Sequence, residues 1–155
     1  IDVEVRKVLT PDLRIGVNGT YMYTNVKLPE GGAYTNKERA LQGASPYLVN
    51  ADLTWTPYFG DQRRLNLALL YNLQGPRIHA VGISGLGDVK QRPVHTLNLS
   101  AGYQFNRRVE LKLLLTDLLN RAMVFDQEVP QTGNTVEVER YRTGAGFEIG
   151  FGLRF

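Results

Sequence analysis

Residues that could carry metal or nucleophile chemistry are few and scattered. Two histidines, His79 and His95, flank a glycine-rich segment and are the only imidazole side chains in the sequence. Zinc sites need three or four ligands, and no third ligand stands at a recognisable spacing from this pair. Ser100 with His95 is the nearest pairing of a nucleophile with a base, but five residues apart on a strand they face opposite sides. The sequence therefore predicts no metal site and no catalytic residue.

The segment Gly82–Gly87 superficially resembles a phosphate-binding loop. Such loops present the phosphate to the amino terminus of a helix. No helical pattern follows before Pro93, so the segment is interpreted as a flexible surface loop.

Four carboxylates bracket a loop near the end of the chain. They are Asp126, Glu128, Glu137 and Glu139. A calcium site needs a denser run of oxygen ligands than this spacing supplies, so solvated loop charges are favoured. No cofactor is predicted, and the chain is expected not to be an enzyme.

Composition excludes several other classes of protein. The chain has 155 residues, 43% of them hydrophobic, no cysteine and a net charge of +3. Its charges are dispersed, which gives no reason to expect nucleic acid as a partner. No apolar run is long enough for a spanning helix. Because the sequence begins at Ile1 and shows no initiator Met, basic region or apolar signal segment, we expect either a removed signal sequence or a piece of a longer protein.

The elements that would position any site are strands, and the last one is the clearest. From Ala145 to Phe155 the sequence alternates without interruption. Phe147, Ile149 and Phe151 point to one side of a strand, whereas glycine and charged residues point to the other. A soluble sandwich would bury the aromatic side under a second sheet. A transmembrane barrel would turn it to lipid and the other side to a wet lumen.

The same alternation predicts seven antiparallel strands. Their predicted ranges are 1–9, 13–28, 47–59, 64–78, 94–105, 109–127 and 138–155. Several exceed the roughly 5 or 6 residues usual in globular proteins. Within the sixth strand, Leu113–Leu119 breaks the phase; a bulge explains the break, and a short helix is the alternative by periodicity.

The predicted connections alternate in length. Those at 10–12, 60–63 and 106–108 are short, and those at 29–46, 79–93 and 128–137 are longer. Outer-membrane barrels combine tight periplasmic turns with longer extracellular loops in this way. Because bacterial single-chain barrels use an even number of strands, seven strands indicate the carboxyl-terminal part of a larger barrel, occupying residues 1–155.

Aromatic and charged residues fit the two surfaces of such a barrel. Aromatic girdles are predicted at an inner rim (Trp55, Tyr58, Phe59, Tyr103, Phe105, Phe155) and an outer rim (Tyr21, Tyr23, Tyr47, Phe125, Tyr141). A second group is predicted to face the lumen and to form ion pairs across it: Arg14, Asp52, Glu110, Lys112, Glu148 and Arg154.

Three segments carry a resemblance to a known family. Leu65–Gly82, His95–Glu128 and Val138–Phe155 resemble the carboxyl-terminal barrel strands of TonB-dependent outer-membrane receptors. The likeness is greatest to the group with an amino-terminal carboxypeptidase-regulatory-like domain. It covers more than half of the chain, in order, and includes the terminal Phe155.

The resemblance implies a 22-strand barrel filled by an amino-terminal plug in the outer membrane of a Gram-negative bacterium. Import of a siderophore, cobalamin, a glycan or a peptide would be powered from the inner membrane. The implied partners are outer-membrane lipid, the rest of the barrel and its plug, the energy-coupling protein TonB acting through the missing amino-terminal part, and a possible surface lipoprotein.

Two alternatives remain open. A passive porin or a small structural barrel would need an eighth strand, for which Ala33–Ala44 is the only spare segment and is too polar to cross a bilayer. A soluble carbohydrate-binding module would need its aromatic faces buried. Clean folding in plain buffer would count against the membrane segment, and partition between membrane and soluble fractions would decide for or against the module.

Overall fold

The computed structural model describes residues 1–29, 31–60 and 63–154, and these residues form antiparallel strands and no helix. The strands in chain order are β1 (Asp2–Thr10), β2 (Leu13–Tyr21), β3 (Val26–Lys27), β4 (Glu38–Arg39), β5 (Tyr47–Trp55), β6 (Arg64–Gln74), β7 (Arg77–Ala80), β8 (Val89–Gln91), β9 (Val94–Gln104), β10 (Val109–Thr116), β11 (Met123–Val129), β12 (Asn134–Tyr141) and β13 (Gly146–Leu153). The prediction of an all-β antiparallel fold is confirmed.

Seven of these strands form the main sheet, in the order β1-β2-β5-β6-β9-β10-β13. Each strand pairs with the next main-sheet strand along the chain, which is an up-and-down arrangement. Within the described residues β1 and β13 have no partner on their outer sides, so the sheet is open and does not close into a barrel.

The connections differ between the two ends of the main sheet. At one end Thr10 pairs with Leu13 across a tight turn, and Gln104 pairs with Glu110 beside another. The turn predicted at 60–63 includes Asp61 and Gln62, which lie outside the described residues. At the other end the chain leaves the sheet for the longer segments 22–46, 75–93 and 117–145. We call these two ends the turn side and the loop side.

A second sheet on the loop side corrects the predicted loops. The segments 79–93 and 128–137 contribute strands to a four-stranded sheet of order β12-β11-β8-β7. The strands predicted to run to Leu28, Phe59 and Ile78 end earlier, at Tyr21, Trp55 and Gln74. A two-strand sheet of β3 and β4 occupies part of the predicted loop 29–46, of which Glu30 is not described.

The predicted sixth and seventh strands are each interrupted. Between β10 and β11 the backbone turns left-handed at Asp117 (φ 49°) and Asn120 (φ 41°), a conformation that Asp and Asn tolerate better than most residues. Leu118 donates its backbone N–H to the carbonyl of Leu97. The phase break is therefore a turn, and both the helix and the simple bulge were wrong.

The main sheet has two chemically different faces. The in-register pairs Leu113–Ile149 and Leu111–Phe151 stand on the same face as the pair Leu69–Leu99, and this is the apolar face. The alternate residues, which include Asn50 and Asn72, form the polar face. Both alternations follow the predicted pattern.

Among the described residues, no second layer covers either face of the main sheet. On the apolar face the exposed fraction is 77% for Phe147 and 65% for Phe151. Within the described residues, the buried aliphatic and aromatic side chains are Ile78, Val124 and Phe125, which all belong to the loop-side sheet. The accessible surface is 10706 Å², whereas a compact globular protein of this mass exposes about 7,900 Å². The chain therefore keeps about a third more surface than a self-contained globule.

Candidate functional site

A ladder of asparagine side chains crosses the polar face. The side-chain amide of Asn72 donates to Oδ1 of Asn50 at 2.5 Å, and the amide of Asn50 donates to Oδ1 of Asn18 at 2.8 Å. The three residues stand opposite one another on β2, β5 and β6. Each of these side chains hydrogen-bonds to the asparagine on the next strand, which favours the observed register of the three strands. The ladder is only partly buried and so remains accessible to water.

Most of the predicted lumen-facing charges share this polar face. Arg14, Asp52, Glu110, Lys112 and Glu148 all stand at polar-face positions of their strands. Arg154 lies just beyond β13, where its backbone N–H donates to the carbonyl of Arg108.

Over the described residues the open sheet encloses no lumen across which these charges could pair as predicted. The ion pair that forms joins Lys112 Nζ to Glu110 Oε2 at 3.5 Å, along one strand instead of across the sheet. The carboxylate of Asp52 lies over Gly16, where an added Cβ would overlap it. Lys112 pairs along its own strand because its cross-strand neighbours are Gly102 and Gly150. Glycine has no side chain that could form an ion pair.

The residues of the two predicted aromatic girdles are mostly exposed near the ends of the sheet, and Phe125 is the clear exception. Trp55, Tyr58, Phe59 and Phe105 are exposed on the turn side, and Tyr21, Tyr23 and Tyr141 are exposed on the loop side. Phe125 is the exception, since it is only 2% exposed. Its placement in an interfacial girdle was therefore wrong.

Phe125 is instead part of the core of the loop-side sheet. Its ring stacks on Tyr141 with centroids 5.8 Å apart and meets His79 edge-on at 4.6 Å. Two further members of the predicted girdles, Tyr47 and Tyr103, are partly covered by neighbouring residues, and Phe155 lies outside the described part of the chain.

An almost fully buried ion pair organises the loops. Arg39 Nη1 lies 3.3 Å from Asp88 Oδ1, and their side chains are 11% and 2% exposed. Arg39 also covers the ring of Tyr34 at 5.6 Å. Because the two partners are 49 residues apart, no local sequence pattern indicates the pair, and sequence reasoning missed it.

The glycine-rich segment 82–87 uses its N–H groups within the protein. Gly82 donates to Asp88 Oδ1 at 2.8 Å, Gly85 to Thr35 Oγ1 at 3.1 Å and Gly87 to the carbonyl of Glu128 at 2.9 Å. A phosphate would have to displace these acceptors. The segment is a docked loop whose donors are already satisfied, in place of the flexible loop that was predicted.

The histidines do not come together. His95 stands on the apolar face opposite Leu73, and its Nδ1 is 2.6 Å from the hydroxyl of Tyr71. His79 belongs to the loop-side sheet, against Phe125. Ser100 stands opposite Ala68 on the polar face, so the predicted separation of Ser100 from His95 is confirmed.

Arginines hold two of the four carboxylates that bracket the last hairpin. Arg92 binds Asp126 through two hydrogen bonds, of 2.5 and 2.9 Å, and Arg140 binds Glu137 through two more, of 2.7 and 2.8 Å. These hydrogen bonds lower the pKa of Asp126 and that of Glu137. The two pairs are joined where Arg92 Nη2 comes within 4.0 Å of Glu137 Oε2. This network belongs to the structure of the loop-side sheet.

Over the described residues, no group of three or more His, Asp or Glu side chains is arranged to hold a metal ion. In the same part of the chain, no helix has the length and apolarity needed to cross a membrane. Comparison of the chain with protein-family models, with curated proteins and with solved structures gives no match.

The docked loop leads to a first prediction. A methyl group at Gly82 would overlap the backbone of Leu86 and Gly87, so Gly82→Ala should undock the loop. We expect the protection of the Thr35 amide, which donates to the carbonyl of Gly82, to fall by about 1–3 kcal/mol in native-state hydrogen exchange. Gly19→Ala is the control, since its Cβ would meet only the carbonyl of Leu48 at 3.9 Å. Unchanged protection in Gly82→Ala would contradict the docked arrangement.

The arginine network leads to a prediction about pH. Because Arg92 lowers the pKa of Asp126 from its ordinary value of 3.8, the pair contributes its full stability above about pH 4 and loses it as the pH falls through the lowered pKa. Asp126→Asn should therefore reduce the hydrogen-exchange protection of β11 at pH 6, and the difference from the unaltered chain should shrink below pH 4.

Glu139→Gln serves as the control for this change, because Glu139 forms no ion pair with the residues that the structure describes. A difference between Asp126→Asn and the unaltered chain that stays constant from pH 6 to pH 2 would show that the ion pair does not stabilise β11.

Proposed function

We propose that the chain is a wall segment of an outer-membrane β-barrel, belonging to a TonB-dependent receptor of the carboxypeptidase-regulatory-like group. It would take part, without enzymatic activity, in importing a nutrient ligand. One observation carries the membrane part of this proposal: an uncovered seven-strand sheet whose two faces have opposite chemistry.

The chemistry of the faces supports lipid on one side and water on the other. Leu53, Leu69 and Leu99 stand side by side on the apolar face of three adjacent strands. Asn18, Asn50 and Asn72 stand side by side on the opposite face. An apolar face of this extent is stable in hydrocarbon, and a hydrogen-bonded amide ladder is stable beside a wet lumen.

The lengths of the main-sheet strands also support a bilayer span. They range from 8 residues in β10 to 11 in β6 and β9. A tilted transmembrane strand needs about 9 to 11 residues. The aromatic residues exposed at both ends of the sheet would then lie near the two interfaces.

The open edges favour a wide barrel over a small closed one. A small barrel made of this sheet would pair β1 with β13, and within the described residues they do not pair. Edges of this kind recruit further strands. In our proposal those strands belong to the rest of the same barrel, and the resemblance to TonB-dependent receptors favours this reading over a passive porin.

The partners follow from this placement. Outer-membrane lipid would cover the apolar face, and the plug domain would meet the polar face. TonB would act through the amino-terminal part of the receptor, and a surface lipoprotein would have access to the loop side. Nucleic acid is not among the partners that we propose.

A matched pair of lysine substitutions tests the membrane placement. Leu69 and Leu70 are adjacent, both exposed, and on opposite faces of β6. A lysine facing lipid near mid-depth costs about 2–4 kcal/mol, so Leu69→Lys should lower the partition coefficient between lipid vesicles and buffer by roughly 30-fold or more. Leu70→Lys should float like the unaltered chain, because residue 70 stands opposite Asp52 and Asn98.

The measurement is vesicle flotation after refolding of the full chain from urea, followed by an alkaline wash. Equal losses for the two variants, or an unaltered chain that stays soluble and folded, would contradict the placement of the apolar face in the bilayer.

A further inference from the structure

A cavity of about 650 Å³ lies on the loop side of the main sheet. It is bounded by the chain after β2, by the segment around β4 and by the hairpin of β7 and β8. Its volume falls within the range of roughly 300–1,000 Å³ typical of small-molecule sites. It lies beyond the end of the sheet that we place in the membrane, where an incoming molecule would arrive.

One part of the cavity lining is apolar and aromatic. Tyr21, Met22 and Tyr23 line it from the chain that leaves β2, and Ile78 lines it from β7. Met22 donates its backbone N–H to the carbonyl of Pro46 at 2.9 Å, which holds this segment against the start of β5. Such a lining suits the flat or apolar body of an organic molecule.

The charges that line the cavity do not cancel. Arg39 is committed to Asp88 at 3.3 Å, and Glu38 accepts a hydrogen bond from Asn25 and lies 3.9 Å from Lys27. The remaining charged residues of the lining are Arg77 and Lys90. Neither of them forms an ion pair within the part of the chain that the structure describes, although Arg77 Nε donates to Gln91 Oε1 at 2.6 Å.

We propose that this cavity binds an organic carboxylate with an aromatic or apolar body. Lys90 would attract the carboxylate, and Tyr21, Met22 and Tyr23 would contact the body. The carboxylate of Asp88 is not available to the ligand, because it already accepts hydrogen bonds from Arg39 and from the N–H of Gly82. The inference rests on the proposed function, since it names the class of molecule that the receptor would capture.

The two methionines of the chain allow a site-resolved test. Met22 lines the cavity, and Met123 lies in β11 outside the lining. With methyl-labelled methionine in the full chain, the probe is naphthylacetate, and its uncharged counterpart is naphthylacetamide. We expect the Met22 methyl resonance to shift saturably with naphthylacetate, Met123 to remain unchanged, and naphthylacetamide to bind more weakly.

Lys90→Gln should raise the dissociation constant for naphthylacetate by about fivefold, the effect of losing one partly solvated charge partner. Lys37→Gln is the matched control, because Lys37 lies in the same set of loops but does not line the cavity. It should leave the constant unchanged.

Three outcomes would overturn the proposal: no shift of Met22, equal shifts of Met22 and Met123, or equal binding of acid and amide that Lys90→Gln does not alter. Failure of the proposed function would be seen separately, in flotation of Leu69→Lys and Leu70→Lys, because neither leucine lines the cavity.

Discussion

The rest of the structure depends on one requirement: both faces of the seven-strand sheet must be satisfied by something other than this chain's own side chains. Apolar surface left in water costs about 25 cal/mol per Å². On the apolar face, the part of the chain that the structure describes places no covering layer over Phe147, Phe151 and their neighbours on six other strands. A hydrocarbon medium removes this cost without a second sheet, and the polar ladder on the reverse face then needs water.

The two sheets are therefore stabilised by different interactions. The loop-side sheet resembles a small soluble structure, with Phe125 and Val124 buried and charges paired by Arg92 and Arg140. The main sheet is held by backbone hydrogen bonds and by side chains that line up across neighbouring strands, and its described residues form no buried core. The turn at Asp117–Asn120 lies between the two sheets. Its left-handed residues end β10 of the main sheet and direct the chain into β11 of the loop-side sheet.

The sequence allows the main sheet to be predicted well, because its alternation is regular. β5, β6, β9 and β10 begin at Tyr47, Arg64, Val94 and Val109, where the alternation predicts them. β8 and the first half of β12 were predicted as loop, since short or polar strands resemble loops until their partners are known. The Arg39–Asp88 pair and the cavity beside it join segments far apart in the chain, and no local pattern encodes such a contact.

The most direct test of the central claim is a nitroxide scan of residues 97–103 in β9, with the full chain reconstituted in lipid bilayers. Oxygen concentrates in hydrocarbon, and a nickel chelate remains in water. We expect accessibility with a period of two: Leu97, Leu99, Ala101 and Tyr103 open to oxygen, and Asn98, Ser100 and Gly102 open to nickel. Odd positions shielded from both reagents, as in a dry protein core, would contradict the claim that this sheet divides lipid from water.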